Sequence, residues 1–135
     1  LDRHYNVIIV GAGNLGQALA NYAGFERRGF NVIGIFDVNP RLEGVTIRGK
    51  AIRMMDDLEE FVKTHDVNIA ALTIPKAKAC QVAADLAGWG VNAFWNFAST
   101  DLHLPQGMIV ENVHLAESLM RLSYNIANQE DTPEE

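Results

Sequence analysis

A doubly wound α/β sheet, mostly parallel, is the fold this sequence predicts. Apolar runs of strand length alternate with stretches of helical period along the chain. The first run, residues 7–10, passes straight into Gly11-Ala12-Gly13-Asn14-Leu15-Gly16, a G-x-G-x-x-G turn that a helical pattern follows at once. A second run, residues 32–36, ends at Asp37, 21 positions after Gly16. Right-handed crossovers leave few ways to arrange such units. A Rossmann-type sheet with its ligand at the carboxyl ends of the strands is the natural one.

Unbroken apolar character at 7–10 suits a strand buried on both faces. Leu15, Ala18, Leu19 and Tyr22 fall at i, i+3, i+4 and i+7, one face of a helix expected to end near Gly24 or Gly29. Asn39-Pro40 breaks the chain after the second strand. A short stretch around Ile52 is expected at a sheet edge. Asp56 or Asp57 can cap a helix whose Leu58, Phe61 and Val62 face inward. Residues 67–74 read as a buried strand stopped by Pro75. Ala79, Val82, Ala83 and Leu86 mark another helical face, with Gly88 and Gly90 bracketing its end. Residues 91–96 and 108–113 are the last two strands. A final helix from Leu115 to about Ile126 carries Leu115, Leu119, Leu122 and Ile126. It can pack on its own sheet or cross to a second copy, since exchange of a terminal element is a common route to a twofold dimer. One domain is therefore expected over residues 1–128. The tail, 129–135, is acidic, holds Pro133, lacks apolar residues and is expected to be disordered.

Composition narrows the function classes. The 135 residues are 48% hydrophobic and 21% charged, ordinary for a globular domain with a real core. Net charge is −6 and the isoelectric point is about 5.1, which makes the chain by itself a poor ligand for nucleic acid. Arg27-Arg28 is the only adjacent basic pair and reads as a solvated helix end. No apolar run approaches the ~20 residues of a membrane span. Polar residues lead directly into the first strand, so no leader peptide is expected. A single cysteine, Cys80, permits no internal disulfide; it reads as a small core residue and suits a cytoplasmic protein.

The glycines point to a dinucleotide. Gly11 allows the tight turn off the strand, Gly13 allows close approach of a pyrophosphate, and Gly16 lets helix and strand lie close together. The ligand's charge then faces unpaired N–H groups at the positive end of the helix. Asp37 can accept hydrogen bonds from the adenosine ribose and would repel a 2′-phosphate, favouring NAD(H). The plain alternative is a turn aspartate before Asn39-Pro40. Arg41 alone does not make a phosphate pocket. Val38 adjoins Asp37. Thr73-Ile74-Pro75 ends a strand expected beside the first, where hydroxyl and backbone groups can meet the pyrophosphate or nicotinamide ribose. Asn96-Phe97-Ala98 ends the next strand. There an amide can bond a carboxamide and a ring can pack on the nicotinamide, although asparagine is also a turn former.

Catalysis has weaker support. His4 and His65 fall away from the strands' carboxyl ends. His103 and His114 can approach the nicotinamide but have no carboxylate or lysine partner at useful spacing. The chain leaves no second domain for a substrate pocket, and no metal-ligand spacing is present. No catalytic or metal-binding residue is assigned.

Several motifs in order resemble a known family. They are the glycine turn; Asn21-Tyr22-Ala23-Gly24-Phe25; Arg28-Gly29-Phe30; Phe36-Asp37-Val38-Asn39-Pro40; Leu72-Thr73-Ile74-Pro75; Asn96-Phe97-Ala98; and Val110-Glu111-Asn112-Val113. From about Val7 to Tyr124 the chain resembles the C-terminal domain of the bacterial redox-sensing repressors Rex. The resemblance implies a cytoplasmic homodimer that senses the NADH/NAD⁺ ratio, NADH releasing the full-length protein from its operator. It also implies a winged-helix DNA-binding domain ahead of this one, which this chain is expected to lack, and a last helix exchanged between subunits. Tyr22, His114, Leu115, Leu119 and Leu122 then fall to dimerisation and coupling. The family has Asp where this chain has His114, in polar contact with the tyrosine matching Tyr22. Histidine could take its place with a dependence on pH. The family also tends to have Pro where this chain has Ser99. Two other readings stand beside this one: a compact NAD-dependent oxidoreductase, and a coenzyme-A-binding domain, against which Asp37 argues because coenzyme A carries a ribose 3′-phosphate.

Overall fold

A computed structural model describes residues 3–130. A seven-stranded sheet forms its centre: β1 (Tyr5–Val10), β2 (Phe30–Asp37), β3 (Thr46–Ile47), β4 (Lys50–Met54), β5 (Ile69–Leu72), β6 (Ala93–Asn96) and β7 (Ile109–Asn112). Five helices accompany it: α1 (Asn14–Ala20), α2 (Gly24–Arg27), α3 (Leu58–Thr64), α4 (Lys76–Gly88) and α5 (Leu115–Glu130). The strand order is β3-β4-β2-β1-β5-β6-β7, and every pairing is parallel except β3 with β4. The chain steps from β1 to β2 on one side, then returns to β5 on the other. The crevice between β1 and β5 is thus the switch point of a doubly wound Rossmann-type sheet, as the sequence predicts.

Alternating side chains divide the core between two faces. Ile8, Val10, Phe36, Ala70, Leu72 and Phe94 face α3 and α4, meeting the predicted Leu58, Phe61 and Val62 and the predicted Ala83 and Leu86. Ile9, Ile35, Ile52 and Ala71 face the other way, against Ala12 and Ala20. That second side is only partly covered. Running across the sheet from β2 and β1 to β7, an apolar groove of about 400 Å³ lies open, lined by Leu19, Phe25, Ile69, Ala71, Trp95 and Ile109 among others. Ile109 is 69% exposed.

Several expectations change. The buried residues of α1 are Gly16 and Ala20, while Ala18 is exposed and Tyr22 lies beyond the helix, 53% exposed. Leu19 packs against the core as expected, but only the smallest residues fit where α1 crosses the glycine turn, so Gly16 and Ala20 take the buried positions. The strand at Ile52 is not the edge: β3 lies outside it. The hairpin joining them turns through Arg48 and Gly49, both at positive φ (49° and 81°), a two-residue loop that matches strand twist. Asp57 makes no side-chain cap; a 3₁₀ turn over Met55–Asp57 leads into α3 instead. The strands containing 67–74, 91–96 and 108–113 are each shorter than expected. Helix α5 continues past Ile126 through Gln129 and Glu130, two residues expected in the tail. The remaining tail, 131–135, lies outside the described residues.

Candidate nucleotide-binding site

The predicted binding segments come together at one edge. Residues 11–16, 37–38, 73–75 and 96–98 follow the carboxyl ends of β1, β2, β5 and β6, four neighbouring strands. Hydrogen bonds tie the first three. Gly11 N donates to Phe36 O at 2.7 Å, and Ala12 N donates to Asp37 Oδ2 at 2.6 Å. The other carboxylate oxygen, Oδ1, accepts from Asn39 N at 2.8 Å. Asp37 thus fixes both the glycine turn and its own turn. Each oxygen keeps a further lone pair for a donor outside the chain. Val38 beside it is 78% exposed and offers apolar surface.

The three glycines differ in what holds them to glycine. At Gly11, with φ +109°, a Cβ would lie 2.7 Å from Thr73 O. At Gly16 it would overlap Gly11 O, at 1.8 Å. Those two are required by the fold itself. At Gly13 a Cβ would meet nothing within 4 Å, and φ is an unstrained −74°. Nothing inside the chain demands glycine there, whereas a ligand lying against the backbone would. Gly13 is the N-cap of α1, makes no side-chain cap bond, and no acidic residue stands in the first turn. The amide hydrogens of Asn14, Leu15 and Gly16 therefore form an uncompensated positive end.

Thr73 has a different part from the one expected. Its hydroxyl donates to Gly11 O at 2.7 Å and lies 3.2 Å from Val10 O. The proton is spent on bracing the glycine turn from β5. Ile74 packs on the core, and Pro75 is the N-cap of α4. Asn96 departs further from expectation. It is 2% exposed and both its N–H groups are used: Nδ2 donates to Thr100 O at 2.8 Å and to Asn112 Oδ1 at 2.9 Å, while Oδ1 accepts from Ala98 N at 3.0 Å. Its amide holds the loop in shape, and its N–H groups are committed to the protein. Phe97 packs edge-on against Trp95, with 4.6 Å between ring centroids, and Ala98 is buried.

Gln17 was not singled out by its sequence. Its Nε2 donates to Ala12 O at 2.8 Å and braces the turn from the helix side. Only the fold shows this, because a glutamine one turn into a helix has no distinctive spacing. Tyr22 packs edge-on against Phe25 (4.7 Å), and a Cβ on Gly24 would strike the Tyr22 ring at 2.5 Å. His114 lies elsewhere, at the root of α5, lining a cavity with Ser99, Thr100, Asp101, Ala116 and Glu117. His65 stacks on Phe61 at the end of α3 (centroids 3.9 Å apart), and His4 and His103 are exposed. Cys80 is half-buried, its Sγ 3.2 Å from Asp101 O. Among the described residues no helix is long and apolar enough to cross a membrane, and no three of His, Cys, Asp or Glu gather as metal ligands.

A family model described as "CoA binding domain" matches residues 2–100. The chain belongs to that family. Within it, this CoA-binding-family domain is homologous to Rex. It is 49% identical over 130 residues to the redox-sensing transcriptional repressor Rex of Caldanaerobacter subterraneus subsp. tengcongensis, covering 96% of this chain and 58% of that one. The solved structure of RSP with β-NADH superimposes with a TM-score of 0.89 at 48% identity, covering 96% of this chain and 63% of that one. RSP with β-NAD⁺ and operator DNA gives the same TM-score and identity, with 60% of that chain covered. The domain thus spans less than two thirds of the relatives it matches. Dehydrogenases at 21% identity or below share its fold alone.

Proposed function

We propose that this chain is the NAD(H)-binding sensor domain of a redox-responsive transcriptional repressor, in which NADH releases the full-length protein from its operator. The observation that carries the reading is the glycine turn tied to Asp37, with open space at Gly13, in a chain 48% identical to a repressor solved with β-NADH. The first-turn amides of α1 hold the pyrophosphate, and Asp37 accepts from the ribose hydroxyls. Thr73 and Gln17 keep the turn in shape. Phe97 and the backbone around Ala98 and Ile74 bound the nicotinamide end. The nicotinamide ring is the only part whose charge differs between the two redox forms, so discrimination arises there.

The domain acts as a sensor, in keeping with relatives named as redox-sensing repressors. A DNA regulator of this kind works in the cytoplasm, and operator contact belongs to a winged-helix domain outside this acidic chain. Dimerisation falls to α5. Every residue of it from Leu115 to Gln129 is exposed, with Leu115, Leu119, Leu122 and Ile126 in one stripe. The open groove is the matching apolar surface, and α5 of a second copy covers it. Tyr22 and His114 then meet across the dimer.

Calorimetric titration with NADH, NAD⁺ and coenzyme A tests the reading. NADH should bind more tightly than NAD⁺, and coenzyme A should bind weakly if at all. The family's name makes the last arm necessary: tight coenzyme A binding with no response to NADH would overturn the sensor.

A further inference from the structure

Helix α5 leaves the body at Val113, and one buried residue holds that point of departure. Val113 N donates to Asn96 O at 2.9 Å, and Asn112 Oδ1 accepts from Asn96 Nδ2 at 2.9 Å. The second N–H of the same amide donates to Thr100 O, and its Oδ1 accepts from Ala98 N. Between those two loop bonds lies Ser99 at φ +54°, a left-handed conformation that serine rarely adopts. A side-chain amide has two N–H groups; here one clamps a strained loop and the other clamps the root of the arm. Both bonds are buried at their Asn96 end, so leaving one unmade is costly. The amide cannot follow the loop without pulling on Asn112.

We infer that Asn96 is a positioning residue, the joint that links the loop at residues 97–100 to the direction in which α5 leaves the sheet. The inference rests on the reading of the carboxyl edge as a nucleotide site. A ligand ring entering beside Phe97 displaces Ala98–Thr100, the strained Ser99 lets that loop adopt a second conformation, and Asn96 carries the shift to residues 112–113. Differential affinity for the two loop states becomes a difference in arm orientation.

Asn112 offers a clean test because it is exposed and outside the binding segments. Asn112→Ala removes the acceptor for one Asn96 N–H. Asn112→Asp keeps an acceptor oxygen in the same place. Amide hydrogen exchange is followed in the whole chain and both variants, with and without NADH. In the parent chain NADH should slow exchange over 10–17 and alter it over 113–118 by about tenfold, inside the roughly 5–150-fold range of allosteric couplings. In Asn112→Ala the slowing over 10–17 should persist while the response over 113–118 disappears; Asn112→Asp should restore it. A parent-like response over 113–118 in Asn112→Ala, or no recovery in Asn112→Asp, overturns the joint while leaving the sensor intact. If the parent chain shows no slowing over 10–17, the nucleotide reading itself fails, and the joint with it.

Discussion

Gly13 and Gly16, three residues apart in one motif, are glycine for opposite reasons. A methyl at Gly16 overlaps the carbonyl of Gly11, whereas a methyl at Gly13 enters open space. Gly16→Ala is therefore expected to cost about 3 kcal/mol or more of stability, read by denaturant unfolding. Gly13→Ala should unfold like the parent yet bind NADH at least tenfold more weakly, a loss of about 1.4 kcal/mol visible by calorimetry. Equal destabilisation by both would mean the turn has no ligand-facing member. Thr73→Val keeps the shape but loses the donor to Gly11 O; it should cost about 1 kcal/mol and weaken NADH severalfold through the loosened turn. These separate roles were half legible in sequence. The motif spacing named the glycines, but which of them the fold needs depends on where Thr73 arrives from β5, 57 residues further on than Gly16. Asn96 was recognisable as polar at a strand end, whereas its burial and its two loop partners were not.

At the scale of elements, α5 and the open groove are the largest unpaired apolar surfaces among the described residues. Helices in water owe most of their stability to packing of one face, and no residue of α5 from Leu115 to Gln129 is buried within the chain. Sedimentation should show a dimer for this chain and a monomer once Leu119 and Leu122 are together replaced by Glu. NADH should still slow amide exchange over 10–17, because the glycine turn lies in another part of the chain. A double variant that still dimerises would place the interface elsewhere. Helical period at Leu115, Leu119, Leu122 and Ile126 made the stripe legible. Period was only partly right at α1, where Leu19 packs on the core but Gly16 and Ala20 are the buried residues because the helix lies close against the glycine turn. The two-residue strand β3 was too short for any alternation to show.

Over the whole molecule, an acidic chain whose basic groups are scattered should not shift an operator duplex in a gel at any NADH/NAD⁺ ratio. Specific retention by this chain alone would contradict the assignment of DNA contact to another domain. NADH should raise the unfolding free energy by about 2.7 kcal/mol at a hundredfold excess over its Kd.

The sequence by itself determined the strand–helix alternation, the glycine turn, the aspartate that closes the second strand, and membership of a family, because period and motif spacing are local properties of the chain. Only the tertiary structure decided which glycine faces open space, that the donors of Thr73 and Asn96 are bound within the protein, and that α5 stands exposed beside an uncovered sheet face. Those facts depend on which strands become neighbours, and parallel pairing across a switch point brings together residues that no local pattern connects.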